Sequence, residues 1–152
     1  MTPLLLYAAC VVSEIADPQS YFTTDEVQER AEVVTRACGY DMGCIRTVTV
    51  LWRIEANLEE TQNGCCGPLQ VIPVKSVTPS CAEMRAHREA GVQGGWLMFE
   101  AKRAVAVRLS KRNVLARAFR FYNGVPVRQD RYSKRAMGYM RRIDSACGVS
   151  AN

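Results

Sequence analysis

The chain has 152 residues, 48% of them hydrophobic and 23% charged, which is enough apolar side chain to bury a core and too much for a disordered polymer. The length fits one domain. A formal net charge of +5 and a pI of about 8.9 exclude a strongly acidic surface and suit an anionic partner such as nucleic acid, anionic lipid or the acidic polymer of a bacterial wall, although a solvated basic face with no partner fits the charge equally well.

In chain order, the first candidate element is the apolar run Leu4 to Val12. It is similar to the hydrophobic centre of a secretory signal, but no Lys or Arg precedes it, and it is too short to span a bilayer. A buried helix or strand is expected, with an uncleaved signal-like extension over residues 1–22 as the alternative. Asp17-Pro18-Gln19-Ser20 breaks the run. Thr23-x-x-Glu26 then forms a capping-box pattern, Val27, Ala31, Val34 and Cys38 follow at helical spacing, and Gly39 is placed to end the helix. From Gly43 to Leu58 the β-branched residues permit a strand, yet Ile45, Val48, Leu51, Trp52 and Glu55 share one helical face, so a helix is expected.

The stretch Asn63 to Pro73, NGCCGPLQVIP, reads as a loop or short irregular strands. Thr78-Pro79 predicts a helix over 79–91 closed by Gly91. Gly94-Gly95 separates it from an apolar helix, 96–112, with a basic C-terminal end. A short helix near 114–121, a turn at Tyr122 to Pro126 and a last helix over 131–146 complete the chain. The expected class is α+β, mainly α-helical, in one domain with a short irregular or β-containing loop region.

The seven cysteines lie at 10, 38, 44, 65, 66, 81 and 147, with no Cys-x-x-Cys pair. Cys38 and Cys44 could close a small loop, but the pairing is not readable from spacing. With His87 the only histidine, paired zinc hooks are lacking, and neither a metal nor a cofactor is expected. His87 sits among charges and reads as exposed. Lys102, Arg103, Arg108, Lys111 and Arg112 read as a solvated basic face, and the aromatics are too scattered for a base-stacking platform, so no nucleic-acid partner is expected.

Glu55 is the residue with chemical promise. It closes the apolar face of VTVLWRI just ahead of the Gly-rich loop, where desolvation would raise its pKa, as a general acid requires at neutral pH. On its own this position fits a solvent-facing helix end as well, and Glu59 and Glu60 could be claimed in the same way.

The string Gly64-Cys65-Cys66-Gly67-Pro68-Leu69-Gln70-Val71-Ile72-Pro73 resembles the Gly-Ala-x-Gly-Leu-Met-Gln-Leu-Met-Pro motif of the lytic transglycosylase, or goose-type lysozyme-like, family. In that family the motif follows a catalytic Glu at a helix end. Phe121-Tyr122-Asn123-Gly124 is similar to the family's Ala-Tyr-Asn-Ala-Gly turn, and RYSKRAMGYMRRI to its Tyr-bearing last helix, where Tyr132 takes the matching position. The three pieces occur in family order over about residues 43–143. The chain departs from the family at Ala56, where Ser is usual, at Pro68, at Cys65-Cys66 and in lacking an Asn-Ile before the following helix.

The resemblance implies a lysozyme-like domain and a peptidoglycan glycan strand as substrate. Glu55 would protonate the glycosidic oxygen between N-acetylmuramic acid and N-acetylglucosamine, and the muramic C6 hydroxyl would attack to give a 1,6-anhydro product. Gln70 would hydrogen-bond the sugar or brace the cleft, Tyr122 would sit near Glu55 and tune it, and Asn123 would fix the turn or touch an acetamido group. Leu69 and Tyr132 join the substrate-binding set by position. Muramidase hydrolysis, or an inactive wall-binding domain in a phage tail or a secretion or conjugation assembly, are the alternatives. The implied setting is periplasmic, extracellular or virion-associated.

Overall fold

The computed structural model describes residues 2–16, 23–55, 64–124 and 131–148. Those residues form α1 (Pro3–Glu14), α2 (Thr24–Cys38), α3 (Met42–Glu55), α4 (Cys81–Ala86), α5 (Arg88–Leu109), α6 (Val114–Asn123) and α7 (Arg131–Cys147). The fold is mainly α. Of the expected β component, the described residues hold one isolated antiparallel bridge, Cys66 to Val71.

The N-terminal apolar run is helical because Thr2 caps it, its hydroxyl accepting from Leu5 N at 3.2 Å, and Pro3 opens the first turn. Tyr7, Ala8, Val11 and Val12 are buried where α1 meets α2, α3 and α7. In α2, the Thr23 hydroxyl accepts from Glu26 N at 3.1 Å, and Gly39 ends the helix in the left-handed conformation, φ 56°, where glycine carries no Cβ clash.

α3 is the axle of the domain. It packs on α1, α2, α5 and α7, and from Cys44 to Glu55 every residue except Arg46 and Arg53 is buried. Asp41 accepts from Cys44 N at 2.9 Å at its start. Thr49 tolerates burial because its hydroxyl donates back to the Ile45 carbonyl at 2.6 Å. At its far end Trp52, 4% exposed, is covered by the guanidinium groups of Arg30 and Arg88, 4.5 and 5.5 Å from the ring. Leu58, the expected end of this helix, and the Asp17–Ser20 break lie outside the described residues.

The α4–α5 boundary differs from the sequence expectation. Ser80, not Thr78, caps α4, accepting from Glu83 N at 3.2 Å, and the break falls at the extended residue His87. The chain then remains helical through Gly91, Gly94 and Gly95 to Leu109. Glycine weakens a helix interior by about 1 kcal/mol relative to alanine, which is too little to end it when packing rewards the missing side chain. Here it does: a Cβ at Gly91 would lie 2.6 Å from Pro68 Cδ, one at Gly94 2.5 Å from Met84 Sδ, and one at Gly95 2.2 Å from Leu69 Cδ2. Arg117 finishes α5, donating to the Ala106 and Arg112 carbonyls, each at 2.8 Å.

Disulfides join Cys10 to Cys147, Cys38 to Cys44 and Cys66 to Cys81. Cys10–Cys147 ties the first helix to the last, and Cys66–Cys81 ties the Gly64–Pro73 loop to the start of α4. Cys65 is free.

Candidate active site

The Gly64–Pro73 loop owes its shape to residues that accept a left-handed backbone. Gly64 and Gly67 have φ of 79° and 72°, and Gln70 has φ 51°. Cys66 and Val71 exchange backbone hydrogen bonds at 2.8 and 2.9 Å, and Gln70 N donates to the Gly67 carbonyl at 3.1 Å. The Gln70 side-chain amide donates to the same carbonyl at 3.0 Å, which holds a conformation that costs a non-glycine residue about 1 kcal/mol. Gly67 is pressed against α4, where an added Cβ would sit 2.9 Å from the Met84 carbonyl oxygen.

Leu69 is the loop's anchor. Its side chain is 0% exposed and fills the space that Gly95 leaves on α5. Its carbonyl accepts from the Tyr122 hydroxyl at 2.7 Å. The sequence placed Leu69 in the substrate-binding set; in the structure its side chain lies in the core and it is not among the groove-lining residues.

Between this loop, α5 and α6 lies a groove of about 470 Å³, lined by Glu55, Cys65, Gln70, Val71, Ile72, Val74, Met98, Lys102, Phe121, Tyr122, Asn123 and Gly124. Glu55, Gln70, Tyr122 and Asn123 thus come together from three separate stretches. Glu55 enters from the C-terminal end of α3. It is 9% exposed, and burial raises its carboxyl pKa, while a hydrogen bond from Tyr132 pulls partly the other way. That bond runs from the Tyr132 hydroxyl on α7 to Glu55 Oε1 at 2.7 Å.

Both tyrosines lie close to Glu55, but only Tyr132 bonds to it. Tyr132 holds Glu55 directly and is not among the groove-lining residues. Tyr122 lines the groove but gives its hydroxyl to the loop backbone, so it braces the wall. Burial, and then the Glu55 charge, push both phenols upward, so both remain protonated donors. Burial and the same carboxylate raise the Cys65 thiol, which keeps it a thiol and not a thiolate nucleophile.

Val74, Met98 and Lys102 line the groove outside the stretches that the sequence tied to the site. Gly91, Gly95, Met98 and Lys102 recur at i, i+4, i+7 and i+11 on α5, a helical stripe whose first two members contact the loop and whose last two line the groove. Glu55 is the sole carboxylate among the described lining residues; Ala56, Glu59 and Glu60 lie outside the described residues. Among the described residues no group of His, Cys, Asp and Glu is arranged to hold a metal ion. Among the described residues no helix is long and apolar enough to cross a membrane. No family model, curated protein or solved structure matches the chain.

Proposed function

We propose that the chain is a lysozyme-like lytic transglycosylase that cleaves the β-1,4 bond between N-acetylmuramic acid and N-acetylglucosamine, with Glu55 as general acid and base. The observation that carries this reading is the setting of Glu55: a buried carboxyl with a raised pKa, held by Tyr132, opening onto a groove walled by Gln70, Tyr122 and Asn123. A desolvated carboxyl retains its proton nearer neutral pH, where wall cleavage operates.

In the proposed reaction Glu55 donates its proton to the glycosidic oxygen as the bond to the muramic anomeric carbon breaks. Positive charge develops on the muramic ring. The C6 hydroxyl of the same ring attacks that carbon and gives its proton to the Glu55 carboxylate, which restores the acid and leaves a 1,6-anhydro end. No water and no protein nucleophile are consumed, in keeping with a groove whose described lining holds one carboxylate. Tyr132 keeps Glu55 oriented through both proton transfers. Gln70 and Asn123 supply polar groups at the groove wall for hydroxyl and acetamido partners. The disulfides support an oxidising setting, periplasmic, extracellular or virion-associated, and a glycan strand as partner there, alone or within a phage-tail or secretion assembly.

Digestion of purified peptidoglycan, with the released muropeptides weighed by mass spectrometry, tests this. Anhydro products, each lighter by one water than a hydrolysis product, are expected from the wild type and not from Glu55→Gln. Normal reducing ends would reassign the enzyme as a muramidase. Absence of any soluble fragment would overturn the catalytic reading and leave a wall-binding domain.

A further inference from the structure

α5 is apolar on two faces. One carries Phe99 and Ala106 into the core. The other carries Leu97, Ala101, Ala104 and Val105, all exposed, with Leu97 at 42% and Val105 at 45%. Val107 and Leu109 extend the exposed apolar surface to the end of the helix, at 46% and 69%. A solvent-facing stripe of this kind is not what a solvated helix presents, and such contiguous exposure marks an interaction surface.

The charges around the stripe identify what covers it. From Ala101 to Gln129 the sequence has eight Lys and Arg and no Asp or Glu. The other twelve cations face all fifteen acids of the chain, so the positive charge is concentrated in this one stretch. Arg108, Lys111 and Arg112 are exposed beside Val107 and Leu109, and none of the three is in an ion pair among the described residues. A second copy laid on this face would bring like charges together. Nucleic acid would leave the aliphatic stripe unused, and the stripe has no aromatic ring on which a base could stack.

We propose that this face of α5 docks on an anionic lipid surface. Leu97, Ala101, Ala104 and Val105 enter the boundary between headgroup and acyl chain, while Arg108, Lys111 and Arg112 meet the lipid phosphates, as in helices that lie in the interface plane. The attachment is peripheral. Met98 and Lys102, which line the groove, follow Leu97 and Ala101 by one residue each, and Val105 lies one heptad after Met98 on the same side of the helix. The groove therefore opens at the edge of the attached face. The inference is independent of the glycan chemistry proposed for the groove.

Co-sedimentation with phosphatidylcholine vesicles, with and without phosphatidylglycerol and at low and high salt, tests the proposal. The full chain is expected to sediment with the anionic vesicles only, with binding reduced by salt. Leu97→Glu combined with Val105→Glu changes no groove-lining residue and should weaken binding about tenfold or more, since it puts charge into the apolar stripe. Lys111→Gln combined with Arg112→Gln, an independent pair in an exposed turn, should weaken it about fivefold per cation removed and flatten the salt dependence. Circular dichroism and melting of each variant should match the wild type. Failure of the wild type to bind anionic vesicles, or unchanged binding by both correctly folded pairs, would overturn the proposal. So would a wild-type dimer that the Leu97/Val105 pair dissociates, or salt-sensitive DNA binding in place of vesicle binding.

Discussion

Replacing Gly95 and Gly138 separately by alanine makes the same chemical change in two helices and should produce opposite outcomes. At Gly138 on α7 an added Cβ meets nothing closer than Arg141 Nη2 at 4.0 Å, so alanine should stabilise by about 1 kcal/mol through helix propensity alone. At Gly95 the added Cβ would stand 2.2 Å from Leu69 Cδ2 and 2.8 Å from Leu69 Cβ, against an ordinary carbon–carbon separation of about 3.5–4.0 Å. Leu69 must retreat by more than an ångström, and it has no free space, being 0% exposed. Overpacking of this kind costs about 1–3 kcal/mol, which exceeds the propensity gain. Because the Leu69 carbonyl accepts from Tyr122, the displacement should reach the groove wall, where a shift of about 1 Å can cost on the order of 100-fold in rate. Urea unfolding of both variants, together with muropeptide release, gives the two readouts. If Gly95→Ala is stabilised as much as Gly138→Ala and keeps full activity, the account of α5 as a glycine-faced seat for the loop is wrong.

The remaining predictions concern the acid and its supports. Glu55→Gln should abolish wall cleavage and raise stability at any pH above the folded-state pKa of Glu55. Because the folded protein holds the Glu55 proton more tightly than the unfolded chain does, the wild type loses stability as pH rises through the folded-state pKa; melting of the two proteins should therefore converge in acid and diverge at high pH. Tyr132→Phe removes the one bond that favours the Glu55 carboxylate, so the alkaline limb of the kcat/KM profile should move to higher pH. A charge-assisted bond of this type contributes about 1.5–3 kcal/mol, so an unmoved limb would deny Tyr132 its role. Cys66→Ser with Cys81→Ser opens a loop of sequence separation 15 and should cost about 3 kcal/mol, whereas Cys10→Ser with Cys147→Ser, separation 137, should cost more, near 5 kcal/mol, in denaturant unfolding.

Legibility in the sequence followed the range of the forces involved. α2 is readable because its determinants are local: a Thr23 cap, an apolar spacing and a glycine stop. The course of α3 is readable because burial overrides the strand preference of Val48, Thr49 and Val50, and its apolar spacing records that burial. The α4–α5 boundary is misread because glycine is weighed there as a local helix breaker, although Gly91, Gly94 and Gly95 serve contacts with Pro68, Met84 and Leu69. The stripe Gly91, Gly95, Met98, Lys102 carried that information, but its meaning depends on which loop lies against it. In the same way the sequence offers two candidate tyrosines, Tyr122 and Tyr132, and a candidate acid, Glu55. Only the packing of α7 against α3 decides that Tyr132 reaches Glu55.

The same packing explains how the groove wall stands without a sheet. An isolated bridge between Cys66 and Val71 is too little backbone pairing to hold three left-handed residues and a desolvated acid's neighbour in place. Separate clamps do so: the Cys66–Cys81 disulfide to α4, the insertion of Pro68 and Leu69 into the glycine face of α5, and the Tyr122 hydroxyl on the Leu69 carbonyl. The adjacent cysteines therefore divide the work. Cys66, 1% exposed, is structural, and Cys65 faces the groove with a free thiol. A substitution of Cys66 should loosen the wall and lower both stability and activity, whereas Cys65→Ala, which breaks no bond in the fold, should leave stability within about 0.5 kcal/mol of the wild type.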